Sequence, residues 1–161
     1  KAWTFEPILF GADPAGGGEP SEIATGARRR RAVFSDRDEV LDRYRARPPL
    51  SALDDRALRA YVEHGFVDLP DGTVTLRCRP EDEASVFEHH NSGAREAAGR
   101  LTIPFALCAS GDGQRPAQTA VEVAAQYQHL ELFHYDGLTH FGPLQDPDRL
   151  AADVLEWMAA H

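Results

Sequence analysis

The amino-acid sequence predicts an α/β fold built on a parallel sheet, with a mostly helical segment inserted between two of its strands. Toward the C-terminus, residues 101–161 alternate strand, loop and helix twice, a pattern typical of parallel strands joined by right-handed crossovers. Residues 21–100 lack this alternation and are predicted to form mainly short helices. An apolar segment at residues 3–10 precedes them and has the composition of a buried strand.

The composition argues against several classes of protein. The 161 residues include 17 Lys and Arg against 26 Asp and Glu, which gives a formal net charge of −9. An acidic chain is poorly matched to phosphate backbones and anionic lipids, so we expect no nucleic-acid or membrane partner. The two cysteines, Cys78 and Cys108, are too few for a disulfide framework, and this low content favours a cytoplasmic location.

The first strand is expected at residues 3–10, ahead of a loop at 11–20 that is rich in glycine and proline. A helix is predicted to begin at Ser21 and to run into the four arginines Arg28–Arg31. We interpret these arginines as a solvated helix face paired with acids such as Glu22 and Asp36, because the rest of the chain is acidic.

Two further helices and a hairpin are predicted in the middle of the chain. One helix begins near Ser35, where Asp38 three residues later resembles a capping box, and it ends before a pair of prolines. The next covers residues 53–64, where apolar side chains recur at helical spacing. The hairpin is expected at residues 67–78, with its turn at Asp71-Gly72.

The C-terminal third carries the clearest pattern. Residues 103–109 form a continuous apolar run, which predicts a strand buried on both faces. A helix at 118–127, an alternating strand at 130–135 and an amphipathic helix at 148–160 follow in turn. The segment that joins the last two, at 136–143, is a loop containing two glycines.

Two polar residues follow neighbouring strands of this predicted sheet. Asp112 comes just after the strand at 103–109, and His140 comes shortly after the strand at 130–135. Functional loops of parallel α/β sheets lie at the carboxyl ends of the strands, so we expect these side chains near one another. A histidine oriented by a carboxylate is the proton-transfer half of a nucleophile–His–acid triad. Asp112 and His140 are therefore the candidate catalytic residues.

The same segments resemble the C-terminal part of α/β-hydrolase-fold enzymes. The resemblance lies in Ile103-Pro104-Phe105-Ala106-Leu107 with Gly111-Asp112, in Gly137-Leu138-Thr139-His140-Phe141-Gly142-Pro143-Leu144, in Asp146-Pro147, and in the strand at 3–10. It implies hydrolase-core strands and helices at 1–20 and 101–161, with a helical cap and short hairpin at 21–100. It also implies His140 as the general base and Asp112 as the acid that orients it, without a metal or organic cofactor.

Some positions leave alternatives open. In certain relatives, notably haloalkane-dehalogenase-like enzymes, the acid follows the earlier strand, where Glu6 stands in this chain; Asp112 is preferred. In the cap, Phe66 and Phe87 are the aromatic residues best placed to line a substrate pocket, although such residues are more often core. The pair His89-His90 is not interpreted as a metal site, because adjacent helical residues point about 100° apart.

The nucleophile motif of these enzymes, Gly-x-Ser-x-Gly, does not occur in the sequence. We therefore expect the nucleophile to lie outside this chain, on an N-terminal half of the same protein, and the chain alone to be inactive. A sheet cut along its middle leaves an open edge, so order is expected only with that half or with a second copy. The predicted function is hydrolysis of an ester or similar small carbonyl substrate. The alternative is a non-catalytic hydrolase-fold protein that binds a small ligand or partner.

Overall fold

The computed structural model describes residues 1–9, 22–88, 93–127 and 129–161. The predicted loop at 11–20, the helix start at Ser21 and the His89-His90 pair lie outside the described residues. The described elements are, in chain order, β1 (Ala2–Phe5), α1 (Glu22–Arg28), β2 (Val33–Phe34), α2 (Arg37–Arg45), a 3-10 helix (Leu50–Ala52), α3 (Asp55–Gly65), β3 (Phe66–Asp68), β4 (Val74–Leu76), α4 (Pro80–Glu88), α5 (Ala94–Gly99), β5 (Phe105–Ser110), α6 (Arg115–Gln126), β6 (Glu131–Tyr135), α7 (Gly142–Gln145) and α8 (Pro147–Ala160).

The chain divides into two compact units, one of Lys1–Asp13 with Asn91–His161 and one of Pro14–His90. The first unit holds a parallel sheet in the order β1-β5-β6, as the strand–helix alternation predicts. β5 is the central strand and pairs with β1 from Phe105 onward and with β6 from Ala106 onward. All three strands therefore end at the same edge of the sheet.

The central strand carries the core of the first unit. All six residues of β5 are buried, which confirms the strand predicted from the continuous apolar run. Phe105 and Leu107 pack with Val123 of α6 on one side of the sheet. Cys108 packs with Leu150 of α8 in a second cluster. Side chains alternate across a strand, so helices cover both faces of β5.

β1 is shorter than the strand predicted at 3–10. It ends at Phe5, because the next residue, Glu6, has a backbone φ of 42°. That left-handed conformation turns the chain out of the extended path, and Pro7 then lacks the N–H that would continue the ladder. The last bond of this pairing runs from the Glu6 N–H to the Cys108 carbonyl oxygen over 2.9 Å.

The second unit contains an antiparallel sheet in the order β2-β4-β3. β3 and β4 form the predicted hairpin; Gly72 in its turn has a φ of 88°, and the Asp71 side chain accepts from the Thr73 N–H over 3.0 Å. Its aromatic core joins Phe34 edge-to-face with Phe66, at a ring separation of 5.7 Å.

The cap of α2 differs from the predicted box by one residue. Asp36, not Ser35, is the N-cap, and its side chain accepts from the Glu39 N–H over 2.8 Å. The Glu39 carboxylate in turn accepts from the Ser35 N–H over 2.9 Å. The contacts are therefore shifted by one residue from the predicted Ser35–Asp38 pair, and Glu39 reaches the N–H of the residue before the N-cap.

Arg28, Arg30 and Arg31 are ion-paired, as the acidic composition led us to expect, but with acids other than Glu22 and Asp36. α1 ends at Arg28, so the other three arginines of the run follow it. Arg28 contacts Glu81 and Glu88, whereas Arg30 contacts Glu83. These carboxylates belong to α4, which packs closely on α1. The Arg28 pairs therefore join α1 to α4, and the Arg30 pair joins α4 to the segment that follows α1.

The boundary between the units differs from the predicted one at residue 100. α5 groups with the sheet of the first unit, because Ala98 is buried in the same cluster as Phe105 and Leu107. Among the described residues, no helix combines the length and apolarity that crossing a membrane requires.

Candidate active site

Three polar side chains follow the three parallel strands where these end at one edge of the sheet. Glu6 follows β1, Asp112 follows β5 by two residues, and His140 lies in the loop after β6. The parallel pairing of the strands brings these chain positions together. Glu6, Asp112 and His140 all belong to the first unit.

The carboxylate of Glu6 is buried and fully engaged. Its side chain is 0% exposed. Oε1 accepts from the backbone N–H of Ser110 over 2.6 Å, and Oε2 lies 2.7 Å from Nδ1 of His140. Burial of a charge is unfavourable unless hydrogen bonds compensate it, and here both oxygens are satisfied. The left-handed backbone at Glu6 is a conformation that non-glycine residues adopt at a cost of about 1–2 kcal/mol and that clusters at functional sites.

The imidazole of His140 is bonded on one side and open on the other. A carboxylate oxygen accepts hydrogen bonds, so the contact with Glu6 assigns the proton of the neutral ring to Nδ1. Nε2 then carries the lone pair that is needed to accept a proton. The side chain is 40% exposed, which leaves room for a second reactant. This arrangement has the chemistry of a general base held in one tautomer.

The loop that carries His140 is held by its own side chains and by a close contact with β1. The N–H and hydroxyl of Thr139 donate to the Gln145 side-chain oxygen over 2.8 and 2.7 Å. A Cβ atom at the buried Gly142 would lie 2.4 Å from the ring of Phe5, so only glycine fits there without displacement. Phe5 directly precedes Glu6, and the loop therefore packs next to the residue that contacts its histidine.

Asp112 also reaches the His140 loop, but at the backbone. Oδ2 accepts from the His140 N–H over 3.2 Å. Oδ1 accepts from the Ser110 hydroxyl over 2.8 Å and from the Gln114 N–H over 2.9 Å. Partial burial acts to raise the pKa of Asp112, but these three hydrogen bonds and the nearby His140 outweigh it and lower the pKa from its usual value.

In this structure the ring contact belongs to Glu6, the alternative acid, and not to Asp112, the preferred one, which reaches the His140 main chain instead. The side chain of Asp112 is committed to a tight turn with Ser110 and Gln114, and its remaining oxygen faces a main-chain donor. The backbone donor from Ser110 to Glu6 escaped prediction, because every residue type except proline carries that N–H and sequence pattern does not reveal it.

The aromatic residues predicted to line a pocket have other surroundings. Phe66 is 0% exposed and packs against Phe34 and Tyr44, so it is a core residue of the second unit in this structure. Phe87 is partly buried against a cluster of small residues that includes Ala84. The prediction that Phe66 lines a substrate pocket is corrected accordingly, because its ring packs in the core of the second unit.

Within the part of the chain that the structure describes, no three His, Cys, Asp or Glu side chains form a group that could hold a metal ion. In the same part of the chain, no buried side-chain nitrogen or oxygen lacks a hydrogen-bond partner. The carboxylates of Glu6 and Asp112 and the Nδ1 atom of His140 thus all have protein partners, whereas Nε2 of His140 is open in the described structure.

Comparison with known proteins rests on structure, since no protein-family model and no curated protein matches the sequence. The chain is similar to the peroxisomal α/β-hydrolase Lpx1 from Saccharomyces cerevisiae, with a TM-score of 0.71 and 12% identity, over 99% of this chain and 48% of that one. This chain has the α/β-hydrolase fold. E-2-(acetamidomethylene)succinate hydrolase gives a TM-score of 0.64 at 16% identity, over 86% of this chain and 52% of its own. The M. tuberculosis esterase Rv0045c gives 0.60 at 18%, over 87% and 49%.

The chain therefore spans about half the length of the solved α/β-hydrolase structures that it matches. Identities of 12 to 18% show the fold alone. In the α/β-hydrolase fold, the residues of a triad occur in the chain order nucleophile, acid, histidine. Glu6 and Asp112 both precede His140, so both satisfy that order, and only the contact with the ring distinguishes them.

Proposed function

We propose that this chain is the C-terminal part of an α/β-fold hydrolase that acts on an ester or a similar small carbonyl substrate. The observation that carries the proposal is the 2.7 Å contact between the buried Glu6 carboxylate and Nδ1 of a half-open His140. Hydrolase is the activity named for Lpx1, for the succinate hydrolase and for the esterase that share the fold. That naming supports the reaction class, and the substrate is inferred from the triad chemistry alone.

In the proposed mechanism, a serine from a segment outside this chain attacks the substrate carbonyl, while His140 takes the serine proton on Nε2. Glu6 accepts from Nδ1–H and stabilises the imidazolium that forms. The protonated ring then gives Nε2–H to the departing alkoxide, and the ester bond breaks to leave an acyl-enzyme. Water attacks the acyl-enzyme as His140 takes a proton from it; the ring then returns that proton to the serine oxygen, which regenerates the serine as the carboxylic acid product leaves. No metal or organic cofactor takes part.

The other parts of the proposal concern partners and location. In the sheet of the first unit, β1 pairs with β5 on one side. The described residues provide no strand that pairs with the other side of β1. That edge suits a strand from the N-terminal half of the same protein, or from a second copy. The nucleophile and the oxyanion donors would come with that half, so we expect the chain alone to be inactive. The second unit would serve as the cap, and the low cysteine content supports a cytoplasmic location.

Replacement of the histidine tests the proposal. In the complete protein, His140→Ala is expected to lower kcat for p-nitrophenyl acetate on the order of 10³-fold or more, the loss typical of triad members. His134→Ala is the matched control, since His134 is exposed on β6. Full activity of His140→Ala would refute the role of the histidine. A complete protein that neither hydrolyses the ester nor reacts with a fluorophosphonate would refute the serine mechanism and favour the alternative, a hydrolase-fold protein that binds a small ligand or partner without catalysis.

A further inference from the structure

We propose that Asp112 is a positioning residue, which sets the place of the His140 imidazole by holding the main chain of its loop. The inference rests on the proposed function, because it concerns how the general base is aligned. It differs from the acid role that Glu6 fills, since Asp112 acts through the His140 amide and Glu6 acts on the ring.

The carboxylate of Asp112 joins two strand ends. Oδ1 is fixed to the end of β5 by the Ser110 hydroxyl and the Gln114 N–H, at 2.8 and 2.9 Å. Oδ2 reaches across to the loop after β6 and accepts from the His140 N–H at 3.2 Å. One oxygen therefore anchors the side chain to the central strand, and the other ties the loop to it.

The hydrogen bonds within the His140 loop do not connect it to β5. The bond from the His140 N–H to Asp112 makes that connection. The bonds of Thr139 to Gln145 lie within the segment that follows β6. Gly137, at a φ of 82°, begins the turn and adds conformational freedom in the unfolded chain. A displacement of about 1 Å at a catalytic group can cost about 10²-fold in rate, so the tie at the His140 amide bears on kcat.

Asp112 is not a second acid for the ring in this geometry. Both of its oxygens already accept hydrogen bonds from main-chain or hydroxyl donors, and Nδ1 of His140 is taken by Glu6. Against the effect of partial burial, its hydrogen bonds also lower its pKa from the usual value, because they favour the charged carboxylate.

The test compares Asp112→Asn with Glu6→Gln in the complete protein. In Asp112→Asn the amide oxygen can keep the local turn, while its NH₂ group replaces the acceptor that faces the His140 N–H. We expect faster hydrogen exchange at the His140 amide, a fall of about 10-fold in kcat for p-nitrophenyl acetate and an unchanged KM. The acidic limb of the pH–rate profile should move less than in Glu6→Gln, which removes the charge in contact with the ring. Asp136→Asn changes an exposed residue on the same loop and is the control for both the hydrogen exchange and the kinetics.

Three results would overturn the inference. They are wild-type exchange at the His140 amide in Asp112→Asn, an unchanged kcat, and a pH–rate shift as large as that of Glu6→Gln, which would make Asp112 the acid. If Asp112→Asn does not fold, Asp112→Ser keeps a short acceptor for the turn but cannot span to the loop, and the same outcomes apply to it. Full activity of His140→Ala refutes the proposed function separately, because amide exchange measures the tie without reference to turnover.

Discussion

Oε2 of Glu6 lies 2.7 Å from Nδ1 of His140, although 134 residues separate the two in the chain. The contact joins the residue that follows β1 to the loop that follows β6, and the central strand β5 supplies the Ser110 N–H that holds the other oxygen. A buried carboxylate with both oxygens engaged has little freedom to turn. The ring is therefore presented in one orientation and one tautomer.

Glu6→Gln should therefore abolish most of the proposed activity. The amide NH₂ that replaces Oε2 is a donor, so it favours the ring tautomer with its proton on Nε2, which cannot accept a proton from a nucleophile. We expect kcat for p-nitrophenyl acetate to fall about 10³-fold in the complete protein. We also expect the pH–rate profile to change, because the ring loses the carboxylate that contacts Nδ1. Steady-state kinetics between pH 5 and 9 measure both effects.

Glu131→Gln is the matched control for that experiment. Glu131 also contacts a histidine, with Oε1 2.9 Å from Nε2 of His161, but it begins β6 and so lies at the opposite end of that strand from the His140 loop. Equal losses in the two variants would mean that a carboxylate–histidine contact matters here only for folding.

Gly142→Ala should disturb the site by steric contact alone. The added methyl would lie 2.4 Å from the Phe5 ring; Phe5 directly precedes Glu6, and Gly142 lies two residues after His140. We expect the loop to move and kcat to fall about 10-fold, with a smaller effect on KM. The double variant Phe5→Leu/Gly142→Ala should recover part of kcat, because the smaller side chain frees the space. An additional loss in the double variant, relative to Gly142→Ala, would contradict this steric account.

The two cysteines should differ sharply in reactivity. Cys108 is 0% exposed, and burial, with the nearby charge of Asp153, raises the pKa of its thiol to about 12. The thiolate is the reactive form, so Cys108 should stay unmodified by iodoacetamide at pH 8 while the exposed Cys78 is alkylated. Peptide mapping by mass spectrometry distinguishes the two sites, and unfolding in urea should make both reactive. Native Cys108 that reacts as fast as Cys78 would contradict the buried position of β5.

Arg30→Met should destabilise the second unit. The Arg30 guanidinium contacts both oxygens of Glu83 at 2.7 Å and the hydroxyl of Tyr61 at 3.1 Å. Burial acts to lower the pKa of Arg30, but the tyrosine hydroxyls and Glu83 outweigh it and raise the pKa. Because Arg30 is half-buried, its removal leaves the Glu83 carboxylate without its partner, and we expect a loss of about 2 kcal/mol in the free energy of unfolding.

Urea unfolding followed by circular dichroism measures this loss. Arg59→Met is the control: Arg59 pairs with Asp55 one helical turn away, at 2.7 Å, but its side chain is 59% exposed. Exposed pairs of this kind contribute little, so the control should unfold at nearly the wild-type urea concentration. The same loss in both variants would show that the contacts of Arg30 add nothing beyond those of a surface ion pair.

Local patterns in the sequence were enough to predict the class of fold and the candidate residues. The continuous apolar run that became β5 and the strand–helix alternation around it indicated a parallel sheet, because a strand buried on both faces carries such a run. The positions of His140, Asp112 and Glu6 after neighbouring strands followed from that topology. Short-range chemistry also predicted the hairpin at Asp71-Gly72, since the turn needs a residue that tolerates positive φ.

Which carboxylate contacts the imidazole was decided only in three dimensions. The contact depends on a left-handed backbone at Glu6 and on a main-chain donor from Ser110. Neither feature can be read from the types of the residues involved. The contact also depends on the turn that commits Asp112 to Gln114. Likewise, the sequence around Phe66 is the same whether its ring lines a pocket or fills a core. Only the structure shows that the ring packs against Phe34 in the core. Periodicity records which face of an element is buried, but the approach of distant atoms within 3 Å of one another is a property of the folded chain.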